Sequence, residues 1–381
     1  MRALGNRTMT LTAWIGVALL LGWPDQGARL LAQAAPESGS WRTDFTKRSV
    51  PLSEIVSGGP SKDGIPPIDH PRFIATADAR WLTPREPVLV VASGARVKIY
   101  PLQILIWHEI VNDVVGAIPV AVTYCPLCNT ALVFDRRVDG KLLDFGTTGR
   151  LRHSDLVMYD RQTETWWQQA TGEAIVGTMT GTRLVPLQAQ MVAWRDAKAE
   201  HPNAVVLSRE TGFHRPYGQN PYTGYDGANK GPFKAFFQGE PDRRLPAMER
   251  VVTIDRQDVS VAYPFSRLER IRVVNDTTGA QPIAVFWAAG AASAVDAAIF
   301  GEGRDVGEVG VFDRRLGADT LTFEPAGERD FRDTASGSTW NLFGHAVAGP
   351  RKGDQLAPVA HGNHFWFAWA AFRPNARLAA K

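Results

Sequence analysis

The succession of apolar and polar positions predicts a hairpin, one short helix and then a β-rich stretch, and it does so twice. Val88 to Val91 is an apolar, β-branched run followed by a turn and a second short run ending in Tyr100-Pro101, the pattern of a β-hairpin. Pro101 suits the first turn of a helix, and Leu102, Leu105, Ile106 and Ile110 recur at three- and four-residue spacing, so an amphipathic helix is expected there. From Pro119 onward the apolar segments are short: Val120 to Tyr124, Ala131 to Phe134, Leu142 to Phe145 and Leu156 to Tyr159. Asp-Gly and Gly-Thr-Thr-Gly turns separate them, which reads as β structure. Val251 to Ile254, with a second run ending in Tyr263-Pro264, opens the same succession again.

The two successions also match in residue identity. At an offset of 163, Glu86, Val88, Tyr100-Pro101, Leu105 and Val111-Asn112-Asp113 meet Glu249, Val251, Tyr263-Pro264, Leu268 and Val274-Asn275-Asp276. At an offset of 178, Val-Phe-Asp-Arg-Arg at 133–137 recurs at 311–315. At 172, Gly172, Gly177, Leu184, Pro186 and Trp194 meet Gly344, Gly349, Leu356, Pro358 and Trp366. The expected fold is therefore α+β and predominantly antiparallel β, with two tandem homologous repeats at 86–205 and 249–376 packed as a pseudo-twofold pair. An N-terminal extension occupies 35–85, a Gly/Pro/Tyr-rich connector 206–248 and a tail 377–381. Tyr217, Tyr222, Tyr225, Phe233, Phe236 and Phe237 make the connector too apolar for a solvated linker, so it is expected to be an ordered surface loop.

Composition narrows the class without choosing a function. A chain of 381 residues with 44% hydrophobic and 21% charged content is ordinary globular protein. Its net charge of +3 supplies no electrostatic reason to bind nucleic acid or an anionic membrane. Arg2 and Arg7, an uncharged stretch from Thr8 to Pro24 and then Ala32-Gln33-Ala34 form the pattern of a signal peptide at 1–34. Cleavage is expected after Ala34, giving a periplasmic or secreted protein; retention as an uncleaved anchor is the alternative. No later segment is long and apolar enough to span a membrane.

The two cysteines, Cys125 and Cys128, cannot build a disulfide framework. At an offset of 163 they face Ala288 and Ala291, so the unit is built without them in its second copy. The first copy also holds six extra residues in the stretch Leu151 to Met158. Four readings of the C-P-L-C pair are open. A disulfide across so small a ring would stabilise by only ~2 kcal/mol. A thioredoxin-like redox pair needs a helix after the first cysteine, whereas Asn129-Thr130 leads directly into Ala131 to Phe134, a knuckle between strands. A cysteine nucleophile lacks its defining partners. A turn presenting two thiolates to one soft ion, copper or zinc, fits the spacing. The third ligand expected is His108, with Glu109 orienting it; His153, Asp155, His361 and His364 are further donors.

Trp166-Trp167 and Phe365-Trp366-Phe367-Ala368-Trp369 are expected in the core or between repeats, and Asp135-Arg136-Arg137 and Asp160-Arg161 in turn salt bridges. No nucleotide-binding, H-E-x-x-H or G-x-S-x-G pattern is present, so no nucleotide cofactor is expected. The function read from the residues is metal binding at the C-P-L-C turn. A periplasmic thiol-disulfide oxidoreductase and a non-catalytic ligand-binding or scaffolding module are the alternatives. The partners expected are a small ligand, a metal donor or a thiol partner.

Four stretches together resemble one exported prokaryotic family, domain of unknown function 3179. They are Trp107 to Asp113, Thr123 to Ala131 (TYCPLCNTA), Leu156 to Gln169 (LVMYDRQTETWWQQ) and His364 to Trp369 (HFWFAW). The resemblance covers nearly all of the chain after the leader and implies no established activity and no catalytic residue. It implies asparagine at the position of His153, which favours His108 as the third ligand. Gly337-Ser-Thr-Trp-Asn-Leu, with the Gly349-Pro350 turn, is similar to the strand pattern of Rieske domains, but the cluster's ligand pairs are absent.

Overall fold

The computed structural model describes residues 40–379 apart from 228, 257 and 258. The signal peptide expected at 1–34, with its cleavage site, lies outside the described residues. Within them the protein is β-rich and mostly antiparallel, with four seven-residue helices: α1 (Leu102–His108), α2 (Trp194–Glu200), α3 (Phe265–Ile271) and α4 (Trp366–Phe372). A helix of two turns is not stable alone, so each depends on the sheets it packs against. α1 buries six of its seven residues and α4 five. No helix among the described residues is long and apolar enough to cross a membrane.

The expected hairpin, helix and strands open each stretch, but one helix per unit is corrected to two. α2 near the end of 86–205 and α4 near the end of 249–376 were not expected, since each is only two turns long and is held by the sheets it packs on. The hairpin Pro87–Ser93/Arg96–Pro101 leads into α1, then the hairpin Ile110–Val115/Ile118–Cys125 and the strand Thr130–Asp135. The hairpin Arg250–Arg256/Val259–Pro264 leads into α3, then Val273–Thr278/Gln281–Ala288 and the strand Glu308–Asp313. Local contacts match as well. Asn112 closes on both backbone groups of Phe145, and Asn275 does the same at Phe323. Trp167 Nε1 donates to Asp160 and Trp340 Nε1 to Asp333, each at 2.9 Å. The Asp135–Arg137 ion pair of the first turn is matched by Asp313–Arg315.

One expectation is corrected at the end of α1. Ile110 belongs to the next strand and not to the helix, because Glu109 takes a left-handed backbone (φ 58°) and ends α1 at His108. Arg272 (φ 61°) ends α3 in the same way. After such a reversal the β-branched pair Ile110-Val111 continues as strand.

Two sheets matter for the site. The larger contains Arg377–Leu378, Val259–Pro264, Arg250–Arg256, Gly362–Phe365, Thr130–Asp135, Ile118–Cys125 and Ile110–Val115 in that order, with Pro186–Leu187 attached to Thr130–Asp135. Strands from both halves of the chain thus share it, joined where Asn363 pairs with Ala131. The smaller runs Ile55–Ser57, Phe145–Arg152, Asp155–Asp160, Trp166–Gln168 and Glu173–Val176, all antiparallel. Trp166, Trp167, Trp366 and Trp369 are fully buried, so these tryptophans fill core. Connector aromatics Tyr225 and Phe237 are buried, and Tyr217, Tyr222 and Phe236 pack against the same core.

Candidate metal centre

The C-P-L-C segment is the turn between Ile118–Cys125 and Thr130–Asp135, paired up to Cys125↔Thr130. Asn129, which closes the turn, takes φ 50°, a conformation asparagine tolerates better than most residues. The turn is held from three sides. The Phe365 amide donates to the Cys128 carbonyl at 2.7 Å, Tyr225 Oη donates to the Leu127 carbonyl at 2.9 Å, and Thr130 Oγ1 meets His364 Nδ1 at 2.8 Å.

A second turn arrives from the smaller sheet. His153 and Ser154 form the two-residue loop between Arg152 and Asp155, and both have positive φ (52° and 65°). A two-residue hairpin with this twist prefers Asn-Gly. Here a histidine and a serine occupy it, with the Ser154 amide donating to the Phe236 carbonyl of the connector at 2.8 Å. The strain presents two groups to the cysteines. The Cys125 thiol faces the Ser154 carbonyl at 3.6 Å, and the Cys128 thiol donates to Asp155 Oδ1 at 2.8 Å. Gln168 Nε2 (2.6 Å) and the Ala170 amide (2.8 Å) hold the other carboxylate oxygen.

Cys125, Cys128 and Asp155 therefore place two free thiols and a carboxylate oxygen within 4.8 Å of one another, all buried. A tetrahedral zinc ion with thiolate and carboxylate ligands spaces its donors by roughly 3.3–3.8 Å, inside the 4.8 Å within which these three atoms lie. Electrostatics point the same way. Burial pushes both thiols up, Cys128 the further; Asp155 is pushed up to about 6, chiefly by burial. Glu109 is pushed up to about 8, by burial and then by the Asp155 charge. Among the described residues neither Asp155 nor Glu109 has an ion-pair partner, and the Glu109 carboxyl has no hydrogen-bond donor. Ser154 Oγ, Tyr124 Oη and Gln168 Oε1 are buried without partners beside them. Four acidic groups gathered out of water with no cation are compensated either by keeping their protons or by a metal ion. Both thiols are buried, whereas a redox or nucleophilic cysteine must be reached by its partner.

The third donor brought to the cysteines is Asp155 and not His108. His108 is on α1, but its Nδ1 meets the Pro66 carbonyl at 2.7 Å and its Nε2 meets Tyr217 Oη at 2.6 Å, so both nitrogens are engaged away from the thiols. Burial holds it down at about 4, as a neutral ring. Glu109 does not orient His108; it feels the Asp155 charge, and its own charge acts on Cys125. His153 packs between Phe237 and Phe372, with Glu54 at 3.8 Å. His361 meets the Val359 carbonyl at 2.8 Å, and His364 stacks on Trp369 at 4.8 Å. None of the three joins the group. Gln168, the Ala170 amide and the covering Tyr222 and Tyr225 were not expected as site residues. The extra residues from 151 to 158 are the signal that led to this turn.

Fold and site define a β-rich α+β protein with a buried thiol–carboxylate centre where two hairpin turns meet. The family model described as Protein of unknown function (DUF3179) matches residues 62–376, and the chain belongs to that family. Neither the curated proteins nor the solved structures that were compared give a match.

Proposed function

We propose that this is an exported protein that binds one soft or borderline metal ion through Cys125, Cys128 and Asp155. The observation that carries the reading is the convergence of two thiols and a carboxylate within 4.8 Å, buried and without a counter-cation. Two sulfurs with one oxygen suit zinc better than copper(I), which prefers an all-sulfur set. Glu109, next to the cluster and unpartnered, supplies negative charge that adds to the attraction for a dication. On binding, the thiols give up their protons and the ion supplies the positive charge the site lacks. Export rests on the leader at 1–34.

The two series of elements are, on this reading, copies of one unit related by a pseudo-twofold axis. Support comes from the paired Asn112/Asn275, Trp167/Trp340 and Glu109/Arg272 geometries. The first copy would have acquired the site on a scaffold that folds without it.

Metal analysis of protein purified from its native compartment tests the reading against Cys125→Ser/Cys128→Ser and Asp155→Asn variants. Near-stoichiometric metal in the parent and little in either variant is expected. Equal, negligible metal in all three overturns it.

A further inference from the structure

On the connector, away from the thiols, Arg209, Phe213, His214, Arg215, Tyr217 and Gln219 line an open cleft of about 530 Å³. That is within the roughly 300–1,000 Å³ typical of small-molecule sites. Among the described residues no carboxylate lines it. Glu86 lies behind Gln103, whose amide it accepts, and Glu210 turns to Arg72 at 3.4 Å.

Arg209 is held as a binding group would be. Its Nε and Nη2 both donate to Gln103 Oε1, at 3.0 and 2.5 Å, and its guanidinium lies 4.5 Å over the Trp81 ring. Gly218 (φ 95°) gives it room: a Cβ there would stand 3.1 Å from Nη2. Neither Arg209 nor Arg215 has an ion-pair partner among the described residues, and both act on the Tyr217 hydroxyl as positive charges. Tyr217 is itself fixed between His108 Nε2 and Thr211 Oγ1, each at 2.6 Å. Phe213 stands 41% exposed at the rim, an apolar face left in water beside two cations.

We propose that this cleft binds a small organic anion, a carboxylate on a flat apolar body. The carboxylate sits between Arg209 and Arg215, and the apolar face lies against Phe213 and Tyr217. A guanidinium whose side chain is already ordered loses little entropy on forming a bidentate contact. An aromatic wall adds apolar burial that an inorganic anion cannot use. The proposal is independent of the metal reading.

Calorimetric titration of the intact protein with benzoate, benzyl alcohol and inorganic phosphate tests it. Saturable benzoate binding is expected, with benzyl alcohol and phosphate each at least tenfold weaker. Arg215→Gln, a substitution of a side chain whose only hydrogen bond among the described residues is a long one to the His214 carbonyl (3.4 Å), should weaken benzoate at least fivefold while leaving the thermal midpoint unchanged. Absence of saturable benzoate binding overturns the site. Benzyl alcohol equal to benzoate overturns its preference for anions, and phosphate equal to benzoate overturns its preference for an apolar body. Undiminished binding by Arg215→Gln overturns the assignment to these residues.

Discussion

Cys128 Sγ lies 2.8 Å from Oδ1 of Asp155, although 27 residues separate them and each sits at the turn of a different sheet. The contact exists because the smaller sheet delivers its 152–155 turn onto the C-P-L-C knuckle of the larger. The expected consequences concern the carboxylate, the thiols, the proton balance of the site and the scaffold beneath it.

Gln168 touches no sulfur, but its amide holds Asp155 Oδ2 at 2.6 Å. Replacing it by methionine, of similar size and without the donor, should lower metal affinity about 10–100-fold, as loss of a ligand-orienting partner does. Competition against a chromophoric chelator measures this. An unchanged affinity would mean that Asp155 needs no orientation by Gln168.

The thiols should be silent in the native, metal-free protein. Cys125 is 1% exposed and Cys128 0%, and burial pushes both up, so little thiolate is present at neutral pH. A chromogenic disulfide reagent at pH 7.5 is expected to detect two thiols per chain in denaturant and essentially none without it. Rapid reaction of the native protein would restore the redox alternative.

Stability of the metal-free protein should fall as pH rises above neutrality. Folding raises Glu109 to about 8, so its contribution is complete below the unfolded value near 4.5 and is lost as pH climbs through 8. His108 and His364, held down at about 4 and about 3, act oppositely: their contribution is lost as pH falls below 6.5. Between pH 6.5 and 8 Glu109 and Glu308, which burial likewise pushes up to about 8, outweigh the histidines, and each loses on the order of 1–2 kcal/mol. Denaturant unfolding at pH 6.5 and pH 8 should show that loss, and Glu109→Gln should remove Glu109's share of it, about half. An identical pH dependence in the variant would locate the titration elsewhere.

Gly177 and Gly349 test the scaffold, because both have positive φ (120° and 91°) and both press on the backbone of a neighbouring hydroxyl residue. A Cβ would meet the Thr165 Cα at 2.8 Å in one case and the Ser338 Cα at 2.7 Å in the other. Each Gly→Ala change should cost about 1–3 kcal/mol by overpacking, with backbone strain in addition. Chemical denaturation of the two variants is expected to give similar losses; a large loss at only one position would show that the two places bear load differently.

Much of this molecule was legible from residue order alone. Local periodicity and turn chemistry are short-range, so the hairpins, the proline-started helices and the strand–knuckle–strand around Cys125 and Cys128 could be placed before any packing was known. The sequence offset of 163 singles out the thiols, since it sets Ala288 and Ala291 against Cys125 and Cys128. The boundary of α1 escaped because a left-handed Glu109 ends it, and apolar spacing carries no mark of a backbone reversal.

The tertiary structure decided what completes the site. His108 and Glu109 are adjacent in sequence, yet the reversal at Glu109 sends the imidazole to Pro66 and Tyr217 and leaves the carboxylate near Asp155 and Cys125. Asp155 reaches Cys128 only once two sheets have packed, and the knuckle is clamped by Phe365 from the far end of the chain. Which residues carry chemistry is a matter of type and spacing, which sequence records. Which of them meet depends on long-range burial of apolar surface, which acts between segments far apart in the chain and leaves no local pattern to read.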